Sequence, residues 1–116
     1  MRRGDIYQVD FEPVRGAEAN KARPALIVSH NMLNETVEEL EYGVITVVPM
    51  TSNTKRVLQF QTLLRAADTG LPHDSKTLTE QVRAISVERF IHRVGGLNAE
   101  LLARVDDDLR LHLSLY

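Results

Sequence analysis

The sequence predicts a mainly β, α+β domain: a small, strongly curved antiparallel barrel with an amphipathic helix at its C-terminus. Two observations lead to this fold class. Short segments rich in β-branched and aromatic residues, separated by turn residues, recur between residues 6 and 94. After residue 98 the apolar residues recur at helical spacing instead. The length of 116 residues suits one domain covering residues 1–116.

Five or six short strands are expected. The clearest is 44–48, Val-Ile-Thr-Val-Val, because β-branched side chains pack well on a pleated sheet. The others are expected at residues 6–11, 25–28, 57–64, 77–85 and 91–94. Between them we expect a long loop at 12–22, one helical turn at 31–34, an exposed acidic tip at 36–41, a turn at 68–70 and a short helix at 86–90.

The C-terminal segment is expected to form one helix from Ala99 to about the end of the chain. Asn98 is suited to the N-cap, where its side chain can accept a backbone hydrogen bond. An apolar stripe follows at helical spacing, at Leu101, Val105, Leu109 and Leu113. Consecutive helical residues point about 100° apart, so residues 106–108, three aspartates, are interpreted as a solvated face and not as a metal site.

Composition limits the functional classes. The hydrophobic fraction of 43% supports a packed core, and the absence of cysteine excludes disulfides and thiolate chemistry and favours a reducing cytoplasm. The longest apolar stretch, residues 44–50, is too short to span a membrane, and no apolar segment follows the two N-terminal arginines as a signal peptide would require. The net charge of −2 gives no overall attraction to nucleic acid. Local positive charge remains at Arg15, Lys21, Arg23, Lys55 and Arg56.

Neither a metal site nor a hydrolase triad is evident. The four histidines, at 30, 73, 92 and 112, lack the spacing of metal ligands, so no metal and no cofactor are expected. His73-Asp74-Ser75 contains the residue types of a triad, but triad members are brought together by the fold and not by adjacency. Asp74 and Ser75 are interpreted as a turn that enters a strand.

Two short polar segments are open to two interpretations each. Arg23, before Pro24 at the mouth of a buried strand, is placed to hold a phosphate bidentately, but from these residues alone a surface ion pair, for example with Glu18, is the favoured interpretation. Thr51, Ser52 and Asn53 follow the clearest strand and suit phosphate oxygens or base edges, yet they are also ordinary turn formers. Neither segment is decisive alone.

Taken in order, these segments resemble the MazF/PemK family of RNA-cutting toxins. The chain opens with Arg-Gly-Asp-Ile-Tyr at 3–7, and Arg-Pro-Ala-Leu-Ile-Val-Ser follows at 23–29. Val-Pro-Met-Thr-Ser-Asn stands at 48–53 and Glu-Gln-Val-Arg-Ala-Ile at 80–85. Shorter matches fall at 16–18, 69–71, 74–75 and 93–95, so the resemblance covers nearly the whole chain.

The resemblance implies an SH3-like barrel, a homodimer, and metal-independent cleavage of single-stranded RNA that leaves a cyclic phosphate and a 5′-hydroxyl. It also implies a partner, an acidic antitoxin protein that blocks the site. The family's catalytic residues fall on Arg23 and Thr51, with Glu18 in support. RNA contacts are expected from the local basic and polar residues Arg15, Lys21, Ser52, Asn53, Lys55, Arg56, Glu80 and Gln81.

A cyclic phosphate product makes the 2′-hydroxyl of the substrate the nucleophile. A guanidinium stays protonated in proteins, so Arg23 is expected to stabilise charge, and Thr51 to hold the phosphate in line. Two alternatives remain: a CcdB-like toxin that poisons gyrase without nuclease activity, and a non-catalytic SH3-like interaction module. Such modules need an exposed aromatic groove, for which three Tyr, three Phe and no Trp are a poor supply.

Overall fold

The computed structural model describes residues 1–11 and 22–116. Within them the strands are β1 (Asp5–Asp10), β2 (Ala22–Ile27), β3 (Val44–Thr51), β4 (Leu63–Leu64), β5 (Ser75–Thr77), β6 (Arg83–Ser86) and β7 (Phe90–Gly96). The α-helices are α1 (Asn31–Leu40), α2 (Ala66–Thr69) and α3 (Ala99–Leu113), and short 3-10 helices lie at Thr79–Gln81 and Val87–Arg89. The loop predicted at 12–22 falls almost entirely outside the described residues.

The strands form one curled antiparallel sheet in the order β4-β5-β3-β2-β1-β7. β3 lies at its centre, with β2 along one side, while β6 pairs with its first half and β5 with its last two residues. The described strands at the two ends of this path, β4 and β7, are not paired with each other. The predicted α+β class with a curved antiparallel sheet and a C-terminal helix is therefore confirmed, in the form of a half-barrel.

Both faces of the central strands are buried. Along β2, Ala25 and Ile27 pack into one apolar cluster, and Leu26 packs into a second cluster on the opposite face. Val37 of α1 closes the first cluster and Val105 of α3 closes the second. The sequence of a strand that is covered on both faces is a continuous apolar run, without alternation of apolar and polar residues. This explains the sequence patterns at 25–28 and 44–48.

Helix α3 has the predicted start and core stripe. The Asn98 side chain accepts a hydrogen bond from the Leu101 amide at 2.9 Å, and Val105 is fully buried with Leu101 and Leu109 packed beside it. The stripe ends there, because Leu113 is half exposed.

The interpretation of residues 106–108 as a solvated face was wrong for two of the three aspartates. Asp106 forms an ion pair with Arg3 of the N-terminal segment. Asp108 accepts a hydrogen bond from the hydroxyl of Thr62. Only Asp107 is exposed, paired with Arg110 at 2.7 Å within the helix. The two flanking carboxylates therefore fasten α3 to the sheet domain.

The predicted single turn at 31–34 is a helix of ten residues, so the acidic tip at 36–41 was wrong. The helix begins at His30, whose Nδ1 accepts from the Met32 amide at 2.9 Å. Buried Val37 anchors its second half, and Glu41 ends it in the left-handed conformation with φ of 54°. The glutamates are the exposed face of an amphipathic helix.

Two predicted strands are much shorter than expected. In 57–64 only Leu63–Leu64 is strand, because the Gln61 side chain accepts from the Leu58 amide at 2.9 Å and holds a turn there. In 77–85 the chain is interrupted by the 3-10 helix Thr79–Gln81, which separates β5 from β6. The first segment alternates in hydrophobicity, but in both segments local hydrogen bonds replace the expected strand pairing. The turn predicted at 68–70 is the end of α2, with Gly70 at φ 87°.

None of the helices in the described part of the chain is long and apolar enough to cross a membrane.

Candidate active site

A cleft opens where the end of β3 meets the beginnings of its two neighbours. The β2–β3 ladder stops at the pair Ala25–Pro49, and proline cannot donate a ladder hydrogen bond. Continuing that register by two residues places Arg23 opposite Thr51. On its other side, β3 pairs Thr51 with Lys76 of β5. Since neighbouring strands are antiparallel, the C-terminal end of β3 lies beside the N-terminal ends of both β2 and β5.

The cleft has a volume of about 260 Å³ and is open to solvent. It is lined by Ala22, Arg23, Pro24, Met50, Thr51, Ser52, Leu71, Pro72, His73 and Ser75. Met50 and Leu71 belong to the buried core, whereas Ser52 and His73 are exposed. The floor is therefore apolar and rigid, and the rim is polar.

Arg23 is held by the sheet on the side away from the cleft. It pairs with Val9 in the β1–β2 ladder, and its side chain is half-buried. Pro24 is the third residue of β2 and not its first as expected, because pairing with β1 extends the strand back to Ala22. The alternative partner, Glu18, lies outside the described residues. The paired backbone fixes the point from which the Arg23 side chain extends, and this half-buried residue lines the cleft.

Thr51 is held by the turn that follows β3. Its half-buried hydroxyl oxygen accepts from the Asn53 amide at 3.2 Å, and the Asn53 side chain in turn accepts from the Lys55 amide at 3.4 Å. Because the Thr51 oxygen is the acceptor in this bond, the hydroxyl hydrogen can be donated to a ligand. The two interpretations of this segment, as a turn and as a binding segment, are therefore compatible.

The remaining predicted RNA-binding residues divide into four groups. Ser52 lines the cleft with Arg23 and Thr51. Asn53, Lys55 and Arg56 continue along the exposed turn and are not part of the lining. Glu80 and Gln81 lie in the 3-10 helix, also outside the lining. Arg15 and Lys21 fall outside the described residues.

Glu80 already has a partner. Its two carboxylate oxygens accept from the Nε2 of buried Gln61 at 3.0 and 3.1 Å. Gln61 also holds the Leu58 turn, so Glu80 supports the segment that leads into β4.

His73 has no expected role in this site from the sequence. Asp74 and Ser75 were expected to form a turn that enters a strand, which is confirmed: Ser75 begins β5, and Asp74 accepts from the Ala66 amide at 2.9 Å. Pairing of β5 with β3 then brings His73 to the cleft. No local pattern signals this pairing, because β5 is only three residues long.

The cleft suits an anionic, flexible ligand. It combines a positively charged guanidinium, two hydroxyls at Thr51 and Ser52, and an imidazole within one opening. Guanidinium and hydroxyl groups are the usual partners of phosphate oxygens. Elsewhere in residues 1–11 and 22–116, no three His, Asp or Glu side chains lie close enough to hold a metal ion.

Together the curled sheet and this cleft define a small α+β protein with a cationic, hydroxyl-bearing cleft at its strand ends. Comparison with known proteins narrows the class. Residues 2–113 match the family described as PemK-like, MazF-like toxins of type II toxin–antitoxin systems, and the chain belongs to this family. The resemblance inferred from the sequence is confirmed.

The individual relatives are MazF proteins or endoribonucleases by name. The chain is 51% identical over 116 residues to endoribonuclease MazF9 of Mycobacterium tuberculosis, covering 100% of this chain and 98% of the relative. A crystal structure of MazF from Deinococcus radiodurans superposes with a TM-score of 0.81 at 25% identity, over 99% of this chain and 97% of that one. An endoribonuclease from a mycobacterial species, solved with its cognate antitoxin, gives a TM-score of 0.77 at 19% identity and covers 100% and 97% of the two chains.

Proposed function

We propose that this toxin is a sequence-specific, ribosome-independent endoribonuclease that cuts single-stranded mRNA without a metal ion. The observation that carries the proposal is the β2–β3 register, which directs Arg23 and Thr51 to the same cleft. The relative at 51% identity is an endoribonuclease by name.

In the proposed reaction the 2′-hydroxyl of the substrate attacks the adjacent phosphorus. The bond from the 2′-oxygen to phosphorus forms, the bond from phosphorus to the 5′-oxygen breaks, and the products carry a 2′,3′-cyclic phosphate and a 5′-hydroxyl. Arg23 stabilises the charge that develops on the phosphate oxygens, and Thr51 donates a hydrogen bond that keeps the reacting atoms in line. Both roles need fixed side chains, which the ladder and the turn provide.

Sequence preference comes from contacts around the cleft. Ser52 lies in it, and Asn53, Lys55 and Arg56 extend from it along the same exposed turn, where they can contact bases and phosphates of the strand on one side of the cut. Arg15 and Lys21 join this RNA-binding set, with Glu18 in support of Arg23. Glu80 and Gln81 complete the set from the 3-10 helix, with Gln81 the stronger candidate.

We further propose that the chain acts as one domain over residues 1–116, as a homodimer in the cytoplasm, held inactive by a cognate acidic antitoxin. A solved relative is a complex of an endoribonuclease with its cognate antitoxin. Positive charge at the cleft gives an acidic partner a complementary surface. The interaction-module alternative is not favoured, because no Tyr, Phe or Trp is among the described residues that line the cleft.

The test uses three strands of one sequence that contains the preferred cut site. The first is all RNA, the second is RNA with a single 2′-deoxynucleotide just 5′ of the cut, and the third is DNA with a single ribonucleotide at that position. We expect the first and third to be cut and the second to bind but resist cleavage. Cleavage of the second strand at an undiminished rate would show that water, and not the 2′-hydroxyl, is the nucleophile. A chain that cuts none of the strands but traps gyrase on DNA would support the gyrase-poisoning alternative.

A further inference from the structure

His73 occupies the wall of the cleft opposite the strand that carries Arg23. Thr51 of β3 lies between β2 and β5, and the turn before β5 presents His73 to the opening from the far side. The imidazole is exposed, while its neighbours in the lining, Leu71 and Ser75, are 6% and 5% exposed. The titratable ring of His73 is therefore exposed to solvent, while the residues two positions before and after it are buried.

The turn that carries His73 is held on both sides. The Ser75 hydroxyl donates to the His73 carbonyl at 3.3 Å. The Asp74 carboxylate accepts from the Ala66 amide at 2.9 Å and pairs with Arg65 at 3.4 Å. These contacts fix the backbone at position 73, while the His73 side chain makes no hydrogen bond or ion pair within residues 1–11 and 22–116. The fixed backbone keeps the imidazole at the opening of the cleft, where it can meet a substrate.

In the proposed reaction, none of the roles given to Arg23 and Thr51 removes the proton of the 2′-hydroxyl. Arg23 cannot take it, because a guanidinium stays protonated in proteins. The hydroxyls of Thr51 and Ser52 are not basic at neutral pH. Of the described residues that line the cleft, His73 alone has an imidazole, the side chain that most often acts as a general base.

The charged groups on the elements around His73 are few. Arg23 faces the cleft from β2. Asp74 and Lys76 flank the histidine in the chain, but Asp74 bonds Ala66 and Arg65, and the Lys76 ammonium donates to the Arg56 carbonyl. Asp74 is therefore engaged with α2, which leaves the imidazole as the proton-accepting group at the opening.

We propose that His73 is the general base of the cleavage step, an inference that rests on the proposed function. An imidazole nitrogen takes the proton of the 2′-hydroxyl as the 2′-oxygen bonds to phosphorus. The bond from phosphorus to the 5′-oxygen breaks, and a water molecule supplies the proton that makes the 5′-hydroxyl. The imidazolium then returns its proton to solvent. Arg23 carries the phosphate charge throughout, and Thr51 holds the group in line.

The experiment compares His73→Gln with His112→Gln in the full-length chain. His112 is a matched control, because it is exposed in the last turn of α3 and lies outside the cleft. General acid–base catalysis contributes roughly 100-fold to 10,000-fold, so His73→Gln should lower kcat by about 100-fold or more with KM little changed. The pH dependence of the cleavage rate should differ between the wild type and His73→Gln, because the variant lacks the group proposed to accept the proton. His112→Gln should keep both the rate and the pH profile of the wild type.

Two further measurements separate a base from a structural or acid role. Added imidazole should partly restore cleavage by His73→Ala, which a merely misfolded cleft would not allow. A substrate with sulfur in place of the 5′-oxygen needs no protonation of its leaving group, so it should be cut as poorly by His73→Gln as the normal substrate is, relative to wild type. Restoration of the rate by this sulfur substrate would assign His73 to the acid and overturn the proposal.

Full activity and an unchanged pH profile in His73→Gln would also overturn it, while cleavage by the wild type would leave the proposed nuclease function standing. Failure of the wild type to cut RNA at all would instead remove the proposed function, and the role of His73 with it.

Discussion

The hydroxyl of Thr62 donates a hydrogen bond to a carboxylate oxygen of Asp108, and this bond joins the segment before β4 to the last turns of α3. Thr62 is buried, and Asp108 is half-buried. Burial raises the pKa of Asp108 above its ordinary value, and the bond from Thr62 and the charge of Arg104 only partly oppose this. The hydrogen bond from Thr62 is specific, but burying the ionised carboxylate of Asp108 costs free energy.

Asp108→Asn should therefore raise stability at neutral pH. The folded-state pKa of Asp108 lies above the unfolded value, so the folded chain gains stability as pH falls through the folded pKa and is penalised above it. The amide keeps an oxygen for Thr62 and removes the charge. Thermal unfolding should show a higher Tm for the variant at about pH 7, and the difference should vanish near pH 3, where the wild-type carboxyl is protonated. Asp107→Asn, in the same helix but exposed, is the control. A lower Tm for Asp108→Asn at both values would contradict the assignment.

Gly95→Ala should destabilise the fold, whereas Gly96→Ala should not. A Cβ at Gly95 would lie 2.3 Å from the Thr69 carbonyl oxygen, a backbone atom at the end of α2. A Cβ at Gly96 would meet the Arg93 guanidinium at 2.8 Å, which is the movable end of an exposed side chain. Overpacking against a fixed group costs typically about 1–3 kcal/mol. Urea unfolding measures both variants, and equal midpoints would show that α2 can move away from β7.

Arg23→Ala and Thr51→Ala should each lower the cleavage rate by about 100-fold or more, the scale of losing one preorganised donor to the transition state. Both side chains are half-buried at the cleft and outside the buried core, so the unfolding midpoint should change little. Arg110→Ala and Thr36→Ala are matched controls on exposed helix faces. Initial rates on a long single-stranded RNA provide the measurement, and wild-type rates in either cleft variant would show that the site lies elsewhere.

Cleavage should continue in the presence of EDTA. The residues proposed for the reaction are a guanidinium, a hydroxyl and an imidazole, none of which needs an ion to act in it. A time course with and without chelator, on protein first dialysed against it, measures the effect. Loss of activity that a divalent ion restores would require a metal in the mechanism.

The chain should form a dimer at micromolar concentration. The edge strand β7 exposes backbone groups along one side of the sheet, and its Ile91 is 57% exposed. A second copy related by twofold symmetry would cover such an edge. Light scattering should give the mass of two chains, and the mass of one chain would count against the homodimer.

The amino-acid sequence by itself determined the elements that depend on neighbouring residues. β3 follows from a run of β-branched residues, and the start of α3 follows from Asn98 and the apolar spacing after it. The segments that resembled a toxin family are likewise local, and the family was identified from their order along the chain. For β3 and the start of α3, a residue and its neighbours within about four positions contain the information, because helical and strand periodicity are local properties.

Only the tertiary structure decided which distant residues meet. Asp106 and Asp108 look like surface charges until α3 lies against Arg3 and Thr62. His73 looks like a turn residue until the short strand β5 pairs with the end of β3. Strand register and helix docking are decided by the apolar surface that the whole core buries. The residues that meet as a result do not themselves decide the register or the docking. For that reason Arg23 and Thr51 could be assigned from the sequence through resemblance, whereas the place of the His73 imidazole in the same cleft was found only in the folded chain.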